Sequence, residues 1–153
     1  MEKTVTYLIS HRGNISGPNP QKENNPAYIK EALAKGYDVE VDVWYVDDKF
    51  WLGHDKPTYE TDYGFLLSSP KLWIHAKNVD ALYLLHEIAH VFFIDSDQAV
   101  LTSKNVLWNY TGIPLTPHSI AVLPEQTEYT LDELQTCLGI CSDNIENYRK
   151  YFE

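Results

Sequence analysis

Cysteine, positive charge and long apolar runs are scarce in this sequence, and each scarcity removes a class of function. The 2 cysteines, Cys137 and Cys141, stand close together near the C-terminus without partners at zinc-ligand spacing, so a structural zinc site is not expected. Lysine plus arginine number 12 against 22 aspartates plus glutamates, a formal charge of −10 with a pI near 4.9. The basic residues fall singly rather than in patches, so neither nucleic acid nor an anionic membrane is an expected partner. A phosphate-bearing ligand would then need one local arginine or lysine, or a bound metal. No apolar run reaches the roughly 18 residues of a membrane span, and residues 1–10 carry no apolar stretch with a small-residue cleavage site. The expectation is a soluble, cytoplasmic protein, in which Asn109-Tyr110-Thr111 is not a glycosylation acceptor.

What is present suits one core. At 153 residues and 44% hydrophobic content the chain has room for a single domain over residues 1–153, and it shows no repeat, linker or low-complexity tract. Val5–Ser10 reads as a strand that stops at His11-Arg12-Gly13. After a turn-rich stretch, Asn25 can cap a helix that begins at Pro26 and ends at Gly36. Asp38 to Tyr45 alternates, with Val39, Val41 and Val43 on one face and Asp38, Glu40 and Asp42 on the other. Asp47-Asp48 turns the chain into Phe50–Gly53, which delivers His54. Leu72–Ala76 is a strand and Val79–Ala89 a helix; Val91–Ile94, Ala99–Thr102, Ser119–Leu123 and Gly139–Cys141 are further strands. Leu131–Leu138 is a helix capped by Thr130, with Glu133 at the capping-box position. This order points to an α/β fold, a pared-down TIM-type (β/α) barrel with several outer helices missing, because a full barrel takes about 250 residues. An open sheet is the alternative.

The first three strands each deliver titratable groups to their C-terminal ends, where the sites of parallel α/β barrels gather. Glu40 and Asp42 leave one face of a strand with α-carbons about 7 Å apart, at a rise of about 3.3 Å per residue. If they face an interior, repulsion and desolvation must raise a pKa or be offset by a cation such as Mg²⁺, Ca²⁺ or Mn²⁺. The plainer reading makes Asp38, Glu40 and Asp42 the wet face of an edge strand with no metal. His11 and His54 taken singly read as structural histidines, and Lys77 as a solvated charge.

Taken jointly, His11-Arg12-Gly13, Glu23-Asn24, the stretch from Gly36 to Val43 and Gly53-His54-Asp55 resemble, in order and spacing, the N-terminal signature of the glycerophosphodiester phosphodiesterases. The resemblance spans roughly residues 7–78 and is faint again at Ile140-Cys141-Ser142-Asp143. It implies a TIM-type barrel, His11 and His54 as general acid and base, Glu40 and Asp42 as metal ligands, and Arg12 on a phosphate oxygen. Trp73-Ile74-His75-Ala76-Lys77 is similar to the family's third motif, which makes Lys77 a phosphate ligand and His75 a metal ligand in place of a glutamate. That exchange removes a negative charge and favours Mn²⁺ or Zn²⁺ over Mg²⁺ or Ca²⁺.

The implied activity is metal-dependent hydrolysis of a small glycerophosphodiester-like substrate. A lyase that releases a cyclic phosphate and a non-catalytic barrel that binds a phosphate ligand are the alternatives. Trp108 and Tyr110 can line a substrate pocket or pack the shortened barrel, and Glu125 and Asp143, which follow later strand candidates, either support the site residues from behind or lie at the surface, the surface being the favoured reading. An apolar wall left bare by missing helices would make a homo-oligomer possible.

Overall fold

Alternation along Asp38–Val46 sets the layers of the fold. Val39, Val41 and Val43 are fully buried and pack outward with Ile29, Ala32, Ala81 and Leu85, whereas Glu40 and Asp42, also buried, point the other way. The computed structural model describes residues 5–152. Its strands are β1 (Tyr7–His11), β2 (Asp38–Val46), β3 (Lys49–Leu52), β4 (Tyr59–Thr61), β5 (Leu72–Ala76), β6 (Val91–Phe92), β7 (Ala99–Leu101), β8 (Leu107–Asn109), β9 (Ser119–Val122) and β10 (Gly139–Ser142). The helices are α1 (Pro26–Ala34), α2 (Tyr63–Leu66), α3 (Val79–Leu85), α4 (Leu131–Leu134) and α5 (Ile145–Phe152), with a 3₁₀ turn at Pro124–Gln126.

All ten strands belong to one sheet. Its parallel part runs β6, β5, β2, β1, β10, β9, β8. Parallel strands need crossover connections, which α1, α2, α3 and α4 with the intervening turns supply. The sheet curls strongly: Phe92 on β6 and Trp108 on β8, from opposite ends of the parallel run, bring their ring centroids to 4.6 Å. Trp73 on β5 lies 5.8 Å from Trp108 and 5.2 Å from Tyr7 on β1, so aromatic rings fill the lower interior with Ile9, Ile120, Val122 and Cys141. Among the described residues no ladder joins β6 to β7 or β8, so the sheet is a curled α/β half-barrel. No helix among them is long and apolar enough to cross a membrane.

The first half of the chain follows the sequence pattern closely. Asn25 accepts a hydrogen bond from the Ala27 amide and Pro26 opens α1. The capping box of α4 forms, but that helix is a single turn rather than the expected Leu131–Leu138, because the Leu138 amide is drawn to the Ser119 carbonyl as the chain enters the sheet. Likewise α3 stops at Leu85, four residues early, where the amides of Ile88 and Ala89 close a tight turn on Leu85. Residues 99–101 form an edge strand antiparallel to β8 rather than another parallel unit. The sequence pattern did not foresee β8 or α5; α5 buries Ile145 and Phe152 against Tyr37, Leu134 and Ile140.

Candidate functional site

Strand register assembles the site. In the parallel ladders His11 pairs with Glu40 and Asp42 with His75, while Ser10 pairs with Ser142, which leaves Asp143 beside His11 one residue further on. All five side chains therefore meet where β1, β5 and β10 end, against the inner face of β2. Because β2 is paired on both sides, with Ser10 and Leu72 flanking Val39, its acidic face is an interior face. Glu40 is 2% and Asp42 1% exposed, so the reading of these carboxylates as a wet edge-strand face is overturned.

His11 Nδ1 lies 2.8 Å from Asp143 Oδ1. An ionised carboxylate only accepts, so Nδ1 carries the donated hydrogen, and in the neutral ring Nε2 keeps its lone pair. That Nε2 faces Glu40 Oε1 at 3.8 Å. His75 Nδ1 lies 3.2 Å from Asp42 Oδ1 and 3.9 Å from Glu40 Oε2, while its Nε2 stands 3.5 Å from the Ile94 carbonyl. The 3.2 Å approach lacks hydrogen-bond alignment, and Asp42 Oδ1 and Glu40 Oε1 remain buried acceptors without a hydrogen-bond partner. Burial and repulsion from Asp42 hold the Glu40 carboxyl well above the usual carboxylate range. Burial pushes Asp42 the same way, but His75, Arg12 and the Asn24 amide outweigh it and hold Asp42 low. Glu40, Asp42 and His75 each offer one ligand atom, all within 4.8 Å of one another. Two orphaned oxygens and one imidazole nitrogen in so small a volume fit a divalent cation.

A second ring of contacts fixes this cluster. Arg12 takes a left-handed backbone (φ 61°), with its amide donating to the Glu40 carbonyl and its own carbonyl accepting from the Asn24 amide. Its guanidinium spans Glu23 Oε1 at 3.1 Å and Asp42 Oδ2 at 3.3 Å. Burial works against that charge, but Asp42, Glu40 and Glu23 more than compensate and raise its pKa. The Asn24 side chain clasps Asp42 twice, donating to Oδ2 and accepting from the backbone amide, both at 2.9 Å. Asn14 donates to Asp143 at 2.8 Å and to Glu23 at 3.1 Å, and accepts from the Tyr28 hydroxyl. Asp143 is opposed by burial yet held below its usual pKa by His11 and Asn14. Glu125 accepts from the Ser142 hydroxyl and the Asp143 amide, which ties the loop after β9 to the end of β10.

The rim carries His54 and Lys77. The β2–β3 hairpin folds back along the same edge of β2 that β1 occupies lower down, and the Gly53 amide donates to the Asp42 carbonyl. Gly53 itself has φ 152°, and a Cβ there would run into the Lys56 carbonyl and Thr58, so only glycine carries the chain through this bend. His54 is an exposed side chain paired with Asp55 at 2.8 Å. It forms the wall between two cavities, one of about 400 Å³ with His75, Lys77 and Tyr110, the other of about 330 Å³ with Arg12 and Glu23. Burial, and then the nearby Glu40 carboxylate, push the Tyr110 phenol up, so it stays protonated beside the acidic cluster.

The structure thus brings His11, Arg12, Glu40, Asp42 and His75 into direct contact and sets His54 and Lys77 on the adjoining cavity walls. Arg12 turns two of its donor groups toward carboxylates, which makes it first a counter-charge for Asp42. Reading the sequence passed over Asn14, named Glu23 and Asn24 only as part of the signature without a role, and favoured the surface for Asp143, whereas its side chain is 13% exposed and holds His11. The available signal was positional, since Asp143 directly follows a strand that must lie beside β1. Comparison of this chain with protein-family models, with characterised proteins and with solved structures finds no match.

Proposed function

We propose that this chain is a metal-dependent phosphodiesterase acting on a small glycerophosphodiester-like substrate, built on a pared-down (β/α) barrel. The observation that carries the reading is the pair of buried, unpartnered carboxylate oxygens on Glu40 and Asp42, next to His75 and within reach of the oriented imidazole of His11. Glu40, Asp42 and His75 would hold the cation, which supplies Lewis-acid stabilisation of charge on a phosphoryl oxygen. With one imidazole in the set, Mn²⁺ or Zn²⁺ suits it better than Mg²⁺ or Ca²⁺. Lys77 and the outward part of Arg12 face the two cavities and add positive charge for the remaining phosphoryl oxygens.

In the reaction an oxygen nucleophile, water or a neighbouring hydroxyl of the substrate, attacks phosphorus, and the bond from phosphorus to the leaving alcohol breaks. One histidine takes the proton of the nucleophile and the other returns a proton to the departing alkoxide. His11 is ready for the first role, because Asp143 fixes the tautomer that leaves Nε2 free. His54, which lines both cavities, takes the second.

The test is to strip the protein of metal, add Mg²⁺, Ca²⁺, Mn²⁺ or Zn²⁺ in turn with a mixture of glycerophosphodiesters, and follow the products by phosphorus NMR. Turnover by the wild type with one preferred metal, reduced about 10²- to 10⁴-fold in His11→Ala and His54→Ala, is the expected result. Accumulating monoester marks a hydrolase and a persistent cyclic ester a lyase. No turnover with any metal would refute the reading.

A further inference from the structure

Trp108 and Tyr110, at the end of β8, take no part in the cation cluster or the proton transfers, yet they stand against both. The alternation of β8 turns them inward, because Asn109 between them faces outward and donates its side-chain amide to the Pro114 carbonyl and the Ser119 hydroxyl. Trp108 then packs on Phe92, and Phe92 on His75, with ring centroids 4.6 Å and 5.0 Å apart. Tyr110 lies nearer the rim. Its amide donates to the Gln98 carbonyl at 2.8 Å, and its side chain forms part of the wall of the cavity of about 400 Å³ that holds His54, His75 and Lys77. We propose that the Tyr110 hydroxyl is a phosphate ligand, donating a hydrogen bond to a phosphoryl oxygen of the substrate beside Lys77. The inference deepens the phosphodiesterase reading and rests on it for the identity of the diester.

Hydrogen-bond accounting carries it. Trp108 is 1% exposed, and its Nε1 is a buried donor without an aligned partner. An indole nitrogen only donates, and the acceptor beside it is the Tyr110 oxygen. That contact falls short of full alignment, but it is close enough to oppose the upward push that burial and Glu40 exert on the phenol. With its oxygen turned to the indole, Tyr110 keeps its hydrogen for the cavity, and among the described residues no side chain takes it. A donor so placed is completed by an oxygen on a ligand. Charge points to the same ligand. In the wall of this cavity Lys77 stands against Asp95 and Asp97, so a phosphate there needs neutral donors in addition to the lysine. A phenol that stays protonated is such a donor. Packing of the shortened barrel accounts for the Tyr110 ring, which lies against the Trp108 cluster, and leaves the hydroxyl unexplained.

The test is titration calorimetry of the full chain, loaded with Mn²⁺, with inorganic phosphate as the probe. Tyr110→Phe keeps the ring and its packing and removes only the hydroxyl. Its affinity for phosphate should fall about 10- to 100-fold, the range of one hydrogen bond to a charged group. Tyr148→Phe removes a phenol from α5, on the outer side of the sheet, and should leave the affinity unchanged. Undiminished affinity in Tyr110→Phe, or no binding of phosphate by the wild type, would overturn the proposal. An equal loss in Tyr148→Phe would also overturn it, by showing a general effect on the fold rather than a contact. Turnover of glycerophosphodiesters by the wild type is measured separately. Its absence would sink the phosphodiesterase reading, while the phosphate titration decides Tyr110.

Discussion

Asp143 holds His11 by a single 2.8 Å contact made across two neighbouring parallel strands, β10 and β1. The contact selects the ring tautomer and aims Nε2 at the acidic cluster. Removing it should leave a histidine that is present but misdirected. Asp143→Asn is therefore expected to lower kcat about 10- to 100-fold, less than the loss in His11→Ala, with the far-ultraviolet circular dichroism unchanged. Steady-state kinetics on both variants checks this, and an unaltered kcat in Asp143→Asn would remove the aspartate from the account.

Beneath the site His90 stacks near Trp73, with ring centroids 4.0 Å apart, and pairs with Thr102 Oγ1. Burial, with a smaller push from Lys104, lowers its pKa from the ordinary 6.5 to about 4. The folded protein then binds fewer protons than the unfolded chain between those values, so stability is complete above pH 6.5 and declines as pH falls toward 4. Partial solvent screening reduces the effect to about 1 to 2 kcal/mol. Urea titrations at pH 7 and pH 4.5 should show a smaller acid-induced loss in His90→Gln than in the wild type, and identical losses would contradict the assignment.

The β2 half of the site was legible in the sequence for a physical reason. A period of two over Asp38 to Tyr45 separates the valines, which pack under the helices, from the acids, while whether the acidic face is wet or interior depends on the strands that flank β2. The β2–β3 hairpin and the glycine before His54 were equally explicit. What escaped was non-local. Nothing in the spacing of Asn14, Asn24 or Asp143 tells that the loop after β1 and the last strand converge on Asp42 and His11, because those contacts span up to 132 positions of sequence. The curl was also unreadable, since it depends on the stacking of Phe92, Trp73 and Trp108 from three separate strands. The sequence suggested a barrel or an open sheet, and the parallel run is a curled sheet with no ladder across β6 and β8 among the described residues.

Gly53 offers a local test of how the rim is held. Its Cβ would collide with the Lys56 carbonyl, and its φ of 152° disfavours any side chain. Gly53→Ala should cost about 1 to 3 kcal/mol and displace His54 from between the two cavities, lowering kcat more than it raises KM. Thermal melts together with kinetics read both effects, and a variant as stable and as active as the wild type would show that the bend is not required.

The central claim is that Glu40, Asp42 and His75 form a cation site, and calorimetric titration of the metal-stripped protein with Mn²⁺ tests it most directly. The account predicts one ion bound per chain, a rise in Tm on binding, and loss of both in Glu40→Gln, which keeps the shape of the side chain but removes a charge. Failure of Mn²⁺ to bind, or binding that is undiminished in Glu40→Gln, would contradict it.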